Sequence, residues 1–176
     1  NAIAFAGPII NASTNTQTVA LPLTLTDTLR LQSTNGTLTV AGAISGTGNI
    51  IRTGLDMSEV LLTNANTFVG SVIVSNGILV VRHSAAFGDP SNVVYQYGTS
   101  LGALCIRGDK LNIRNKLVLN EQRMPGYRYT IASDGGSNEI SGLIQKEATI
   151  RISASGTRLI VSGGIEISSP GVGATS

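Results

Sequence analysis

Apolar side chains alternate with polar ones along most of this sequence. The pattern opens with Val19, Leu21, Leu23 and Leu25, breaks at Thr26-Asp27-Thr28, and resumes at Leu29 and Leu31. A period of two puts one set of side chains on one face, which predicts half-buried strands. Further strands are expected at Leu38–Val40, around Ile44, and at Asn49–Thr53, Val60–Thr63, Val72–Ser75, Ile78–Arg82, Val93–Tyr97 and Leu101–Ile106. The pattern continues at Leu111–Ile113, Leu117–Leu119, Tyr127–Ile131, Glu139–Ile140, Thr149–Ile152, Arg158–Val161 and Ile165–Ile167. Between them Asn35-Gly36, Asn76-Gly77, Gly88-Asp89-Pro90, Gly108-Asp109, Pro125-Gly126 and Asp134-Gly135-Gly136 supply turn chemistry. Helical spacing is confined to two short candidates, Asp56–Glu59 and His83–Phe87.

Strands this closely spaced suit a sandwich or a solenoid, and an internal repeat separates the two. Val40-Ala41-Gly42-Ala43-Ile44 lines up with Ile140-Ser141-Gly142-Leu143-Ile144, 100 residues later. After the first copy, Gly46-Thr47-Gly48-Asn49-Ile50-Ile51-Arg52 sets Ile50 and Arg52 opposite Ile150 and Ile152. Gly54 with Leu61-Leu62-Thr63 then answers Gly156 with Leu159-Ile160-Val161. Stacked units that bury their apolar faces on one another repeat in this way, whereas a sandwich has no reason to. The expected fold is all-β, an elongated right-handed parallel β-helix, with Val, Ile and Leu stacked inside and Asn or Thr ladders at the corners.

Composition narrows the picture. The 176 residues can build one substantial core, made of aliphatic rather than aromatic residues, since Trp is absent and aromatics are 4%. Charged residues are 12%, about half the usual share, while 41% hydrophobic residues argue against disorder. No apolar run approaches the ~18 residues of a membrane span. A net charge of +2 is too small to imply nucleic acid or membrane as a partner. Residues 107–128 are locally basic, a solvated strand face or else a glycan- or anion-binding patch. Cys105, the one cysteine, is expected as a buried strand thiol. The first residue is Asn1 and no signal-like segment follows, so the chain is expected to be processed, excised from something longer, or both.

The stretch from Val60 to Val81, with Asn66-Thr67-Phe68, Gly70, the alternating Val72-Ile73-Val74, the Asn76-Gly77 turn and Leu79-Val80-Val81, resembles the passenger-associated β-strand repeat of bacterial autotransporters. Ala85-Ala86-Phe87-Gly88 is similar to the family's Ala-Leu-Gly ending, and Gly98-Thr99-Ser100-Leu101 to what usually follows a unit. The sequence departs from the pattern at Val69 and in the insertion Leu55–Glu59. On this footing 1–35 is an N-terminal strand segment or first coils, 36–168 the β-helix repeats, and 169–176 a tail or linker to further repeats. The resemblance implies export to the cell surface, with an export signal and an outer-membrane barrel elsewhere in a longer chain.

Candidate chemistry is sparse. His83 is the sole histidine, at a strand end with no partner indicated by spacing, and with one Cys and one His a structural zinc site within the chain is excluded. The acids Asp56, Glu59, Asp89, Asp109, Asp134 and Glu139 recur at no evident coil spacing, so a polysaccharide-cleaving carboxylate cluster is a minor reading. Nucleotide loops and calcium-binding nonapeptides are absent, and no cofactor is expected. Arg107-Gly108-Asp109 spells the integrin-recognition tripeptide at a predicted turn, and is the candidate binding site against the plainer reading of a glycine turn. Asn11-Ala12-Ser13 and Asn35-Gly36-Thr37 fit the glycosylation pattern.

The function expected is structural and adhesive, not enzymatic: a stiff stalk displaying binding surfaces toward a host cell, a matrix, a glycan or copies of itself. Two rivals are a self-assembling filament or surface-layer subunit, with Ala12–Thr28 as a donated strand, and a polysaccharide-active enzyme.

Overall fold

The computed structural model describes residues 3–54, 58–98, 102–121, 130–146, 151–154 and 157–167. Its first strands are β1 (Ile3–Asn11), β2 (Gln17–Val19), β3 (Leu23–Ser33), β4 (Leu38–Val40), β5 (Ile44–Gly46) and β6 (Ile50–Gly54). Then follow β7 (Glu59–Leu62), β8 (Val72–Val74), β9 (Gly77–Val81), β10 (Val93–Gly98), β11 (Gly102–Arg107), β12 (Asn112–Ile113) and β13 (Lys116–Glu121). The last are β14 (Ile131–Asp134), β15 (Ser137–Ile140), β16 (Ile144–Lys146), β17 (Ile152–Ala154), β18 (Arg158–Val161) and β19 (Ile165–Ile167). No helix occurs among the described residues; His83–Phe87 forms hydrogen-bonded turns.

The strands stack as a parallel β-solenoid. One sheet runs β1-β3-β6-β8-β10-β13-β16-β19, with β5 also on β3; a second runs β2-β4-β7-β9-β11-β14-β17; a third runs β12-β15-β18. Partners lie one coil apart, from 19 residues (Glu59 and Ile78) to 27 (Leu117 and Ile144). The 100-residue recurrence therefore spans several coils. Parallel crossovers of this kind adopt the right-handed sense. Pairing in β1, β2 and β3 is continuous with the rest, and Ala12–Thr28 is committed within the chain, through β2 to β4 and through β3 to β1 and β5.

Alternation explains the core. In the first sheet Leu29, Ile50, Val72, Val94, Leu117 and Ile144 stack in one column, each 0–1% exposed. Leu38, Val60, Leu79, Leu104 and Ile131 form the matching column of the second sheet. The next inward column of the first sheet contains Arg52, between Leu31 and Val74 and fully buried. Its guanidinium donates to the Ser58 carbonyl and hydroxyl at 2.7 and 2.8 Å, tying down the approach to β7. Burial holds its pKa down to about 10, since charge in a low-dielectric interior is disfavoured.

Corners carry the polar work. At the recurring motif one carbonyl accepts two N–H groups from the next coil: Val19 from Ala41 and Gly42, Ile113 from Ser141 and Gly142, Ile140 from Ser162 and Gly163. A Cβ on Gly42 would overlap the Leu21 carbonyl, and one on Gly142 the Asn115 carbonyl, so only glycine lets the coils approach here. Both copies deliver the chain into the first sheet, the earlier from the second sheet and the later from the third. Beyond Ile144 the alignment loses register, because Arg52 lies in the first sheet and Ile152, set opposite it, in the second; Ile150 and Gly156 are outside the described residues.

Buried asparagines ladder the remaining corners. Asn66 accepts from the Ile44 N–H and donates to the Ala86 carbonyl. Asn92 donates to the Phe68 and Phe87 carbonyls and accepts from Gly70. Asn115 donates to Asp89 and Asn92, and Asn138 to Gly108 and Gly135. Each carboxamide satisfies backbone groups that a parallel ladder cannot reach around a bend. Asn11 is buried in the same way, its amide donating to the Asn15 and Thr37 carbonyls, which occupies the nitrogen a glycan would need.

Candidate functional site

The Arg107-Gly108-Asp109 turn closes β11. Arg107 reaches Glu59 through a two-pronged ion pair, Nη1 to Oε2 at 3.0 Å and Nη2 to Oε1 at 2.8 Å. Its Nε also donates to Asp134 Oδ2 at 3.0 Å. These bonds, Glu59 foremost, raise its pKa further, so it is permanently charged. Asp109 is exposed, and its Oδ1 accepts from the Ser137 N–H of the next coil at 2.9 Å. Lys110 follows with φ of 57°, a left-handed position filled by a residue other than glycine. Both charged members of the tripeptide are thus engaged by neighbouring coils.

This arrangement also seals an outer face. Leu61, Ile78, Val80, Ala103, Cys105 and Ala132 point away from the core of the second sheet yet are buried as a cluster of their own. Glu59 and Arg107 alternate in phase with them at opposite ends of the patch. The Arg107 side chain spans it, covering apolar surface with its stem while its head stays paired. Cys105 lies beneath, and burial pushes its thiol pKa up.

Of the acids, Glu59 and Asp134 are brought together, both held by the Arg107 guanidinium. Asp89 Oδ1 accepts from the Ser91 N–H and hydroxyl, bonds that hold its carboxyl below the usual range. Glu139 accepts from the Ser162 hydroxyl. Asp56 lies outside the described residues, as do Arg123 and Arg128 of the basic stretch. Among the described residues no three His, Cys, Asp or Glu side chains gather where a metal could bind, and no helix is long and apolar enough to cross a membrane.

Sequence reasoning missed a groove. Between β9 and β10 the chain spends residues 82–92 on one corner, where the recurring corners use three. The bulge and the next coil enclose a cavity of about 360 Å³ lined by His83, Ser84, Asp89, Pro90, Asn112 and Arg114, among others. The density of Ser, Gly, Asp and Pro across 84–91 was the available signal of a long loop.

No protein-family model matches the chain, and no solved structure matches it. Over 88 residues, 50% of its length, it is 33% identical to the adhesin BmaC autotransporter of Brucella suis biovar 1 (strain 1330). The chain spans 2% of that protein's length. A parallel β-solenoid with such a relative fits an autotransporter passenger-like β-helix.

Proposed function

We propose that this chain is a segment of an exported bacterial surface protein, a stiff solenoid stalk that carries adhesive surfaces away from the cell. The observation that carries the reading is the likeness to an autotransporter adhesin over half the chain, set on a solenoid closed by its own corner ladders. A non-enzymatic role agrees with acids that are committed to backbone, hydroxyl or guanidinium partners. The location is the cell exterior and the partners are a host-cell, matrix or glycan surface. Arg107–Asp109 contributes to attachment by presenting Asp109 outward; Asp109→Glu should then reduce attachment without changing the fold. The main test fuses the chain between an export signal and an outer-membrane barrel in a non-adherent bacterium. Antibody labelling of intact cells and gain of attachment over the barrel alone are expected. Labelled cells that attach no better than the control would refute the adhesive part.

A second reading, end-to-end self-association, is favoured by one observation. Among the described residues, inward positions in the first and last strands are uncovered: Ile3 is 45% exposed, Ile152 43% and Ile165 49%, beside parallel edges that no described strand pairs. Sedimentation at rising concentration tests it, and a strict monomer at the highest concentration removes it.

A further inference from the structure

The groove at residues 82–92 carries groups that the solenoid does not use. His83 Nδ1 accepts from the Ala85 N–H at 3.0 Å, so the neutral imidazole carries its proton on Nε2, a donor. Asn112 Oδ1 is occupied by the Ser141 hydroxyl at 2.7 Å, which leaves its amide nitrogen as a second donor. Asp89 uses Oδ1 on Ser91, and its other oxygen remains an open acceptor. Arg114 is exposed and, among the described residues, has no carboxylate within ion-pair distance. Pro90 adds an apolar edge beside the polar groups.

The set is selective. A carboxylate acceptor beside a carboxamide donor suits neighbouring hydroxyls, each of which both gives and takes a hydrogen bond. An unpaired guanidinium suits a planar carboxylate, which it grips in two places. The volume lies near the lower end of the roughly 300–1,000 Å³ typical of ligand pockets, room for one substituted ring rather than a long chain. We propose that this groove binds a carboxylated sugar, with Arg114 on the carboxylate, Asp89 and Asn112 on ring hydroxyls, and the His83 N–H on a further oxygen. This deepens the adhesive reading and rests on it for biological meaning, since it gives the displayed stalk a ligand class.

The test titrates the purified chain with N-acetylneuraminic acid, glucuronic acid and glucose, following saturation-transfer NMR and calorimetry. Saturable binding of an acidic sugar, at least about tenfold tighter than glucose, is expected from the charge-assisted contact. Preference for the first acid points to host glycans and for the second to uronate polysaccharides; either supports the site. Arg114→Ala should erase the preference for acid over glucose, while Asp89→Asn should weaken all three sugars. Both positions lie at the surface, and circular dichroism checks that the variants keep the fold. No saturable binding, equal binding of glucose, an unaffected Arg114→Ala, or acetate competing as well as the sugars overturns the proposal. Because the titration uses isolated protein, its failure leaves the surface-display reading standing, and failure of display leaves the titration unaffected.

Discussion

The middle coils and the terminal coils have the same chemistry and different fates. Ile131 is buried completely, while Ile152, next in its column, is 43% exposed; Ile144 is buried and Ile165, next above it, is 49% exposed. Nothing in the residue types separates these pairs. Among the described residues, what differs is whether a coil lies on both sides. Full burial of such a side chain is worth roughly 1.5–3 kcal/mol, so a terminal coil forgoes much of that at each inward position. Stability here is a property of interfaces between coils, as expected of a quasi-one-dimensional stack.

The corner glycines should show the largest effect. Gly142→Val drives a side chain into the Asn115 carbonyl of the coil beside it, and the loss in urea denaturation should exceed about 4 kcal/mol. Gly164→Ala, one residue past the corner glycine Gly163, meets nothing nearer than Leu143 Cδ1 at 3.9 Å and strains only a φ of +87°. It should cost about 1–2 kcal/mol, and a loss equal to that of Gly142→Val would mean that coil contact is not what Gly142 serves. Leu104→Ala should cost about 2–5 kcal/mol, against under about 1 for Ile152→Ala two coils later; similar values would show that the terminal coil is as well packed as the middle. Asn92→Ala strands the Phe87 carbonyl and the Gly70 N–H inside the stack and leaves the Phe68 carbonyl with the Asp89 N–H alone, worth about 2 kcal/mol or more, whereas Asn64→Ala, with one half-buried bond to Ala41 and one exposed bond from Ala65, should cost under about 1 kcal/mol.

The smallest effect concerns the sealed outer face of the middle coils. Folding raises the Cys105 thiol pKa, chiefly through burial. The folded state therefore holds its proton longer than the unfolded chain, and the stability involved is intact below the unfolded thiol's value of about 8.5 and declines as pH rises above it. Thermal melts from pH 7 to 10 should drop slightly more for the natural chain than for Cys105→Ala. Parallel curves would show that water already reaches the thiol.

Period-two alternation made most strands legible, because runs of inward residues are aliphatic in phase, as at Leu29 and Leu31 in β3, Leu79 and Val81 in β9, and Leu117 and Leu119 in β13. Strand β1 escaped notice, since Gly7 and Pro8 interrupt its apolar run, and an edge strand tolerates proline where a central one would not. Arg52 shares the phase of Ile50, which was the signal for its burial, but arginine in a strand usually faces water. The joining of Glu59, Arg107 and Asp134 could not be read, because coil length varies and no fixed spacing links them. Within the 82–92 bulge, His83–Phe87 carries helical spacing and Gly88-Asp89-Pro90 turn chemistry, and its groove exists only once the next coil brings Asn112 and Arg114 beside it.

Among the described residues no strand pairing joins positions more than 27 apart. A chain threaded through a narrow opening could therefore finish each rung soon after its last residue emerged, using only the rung before it as template. Every completed rung would oppose backward slippage, so conformational free energy alone could draw the rest of the polypeptide outward, with no fuel needed on the far side.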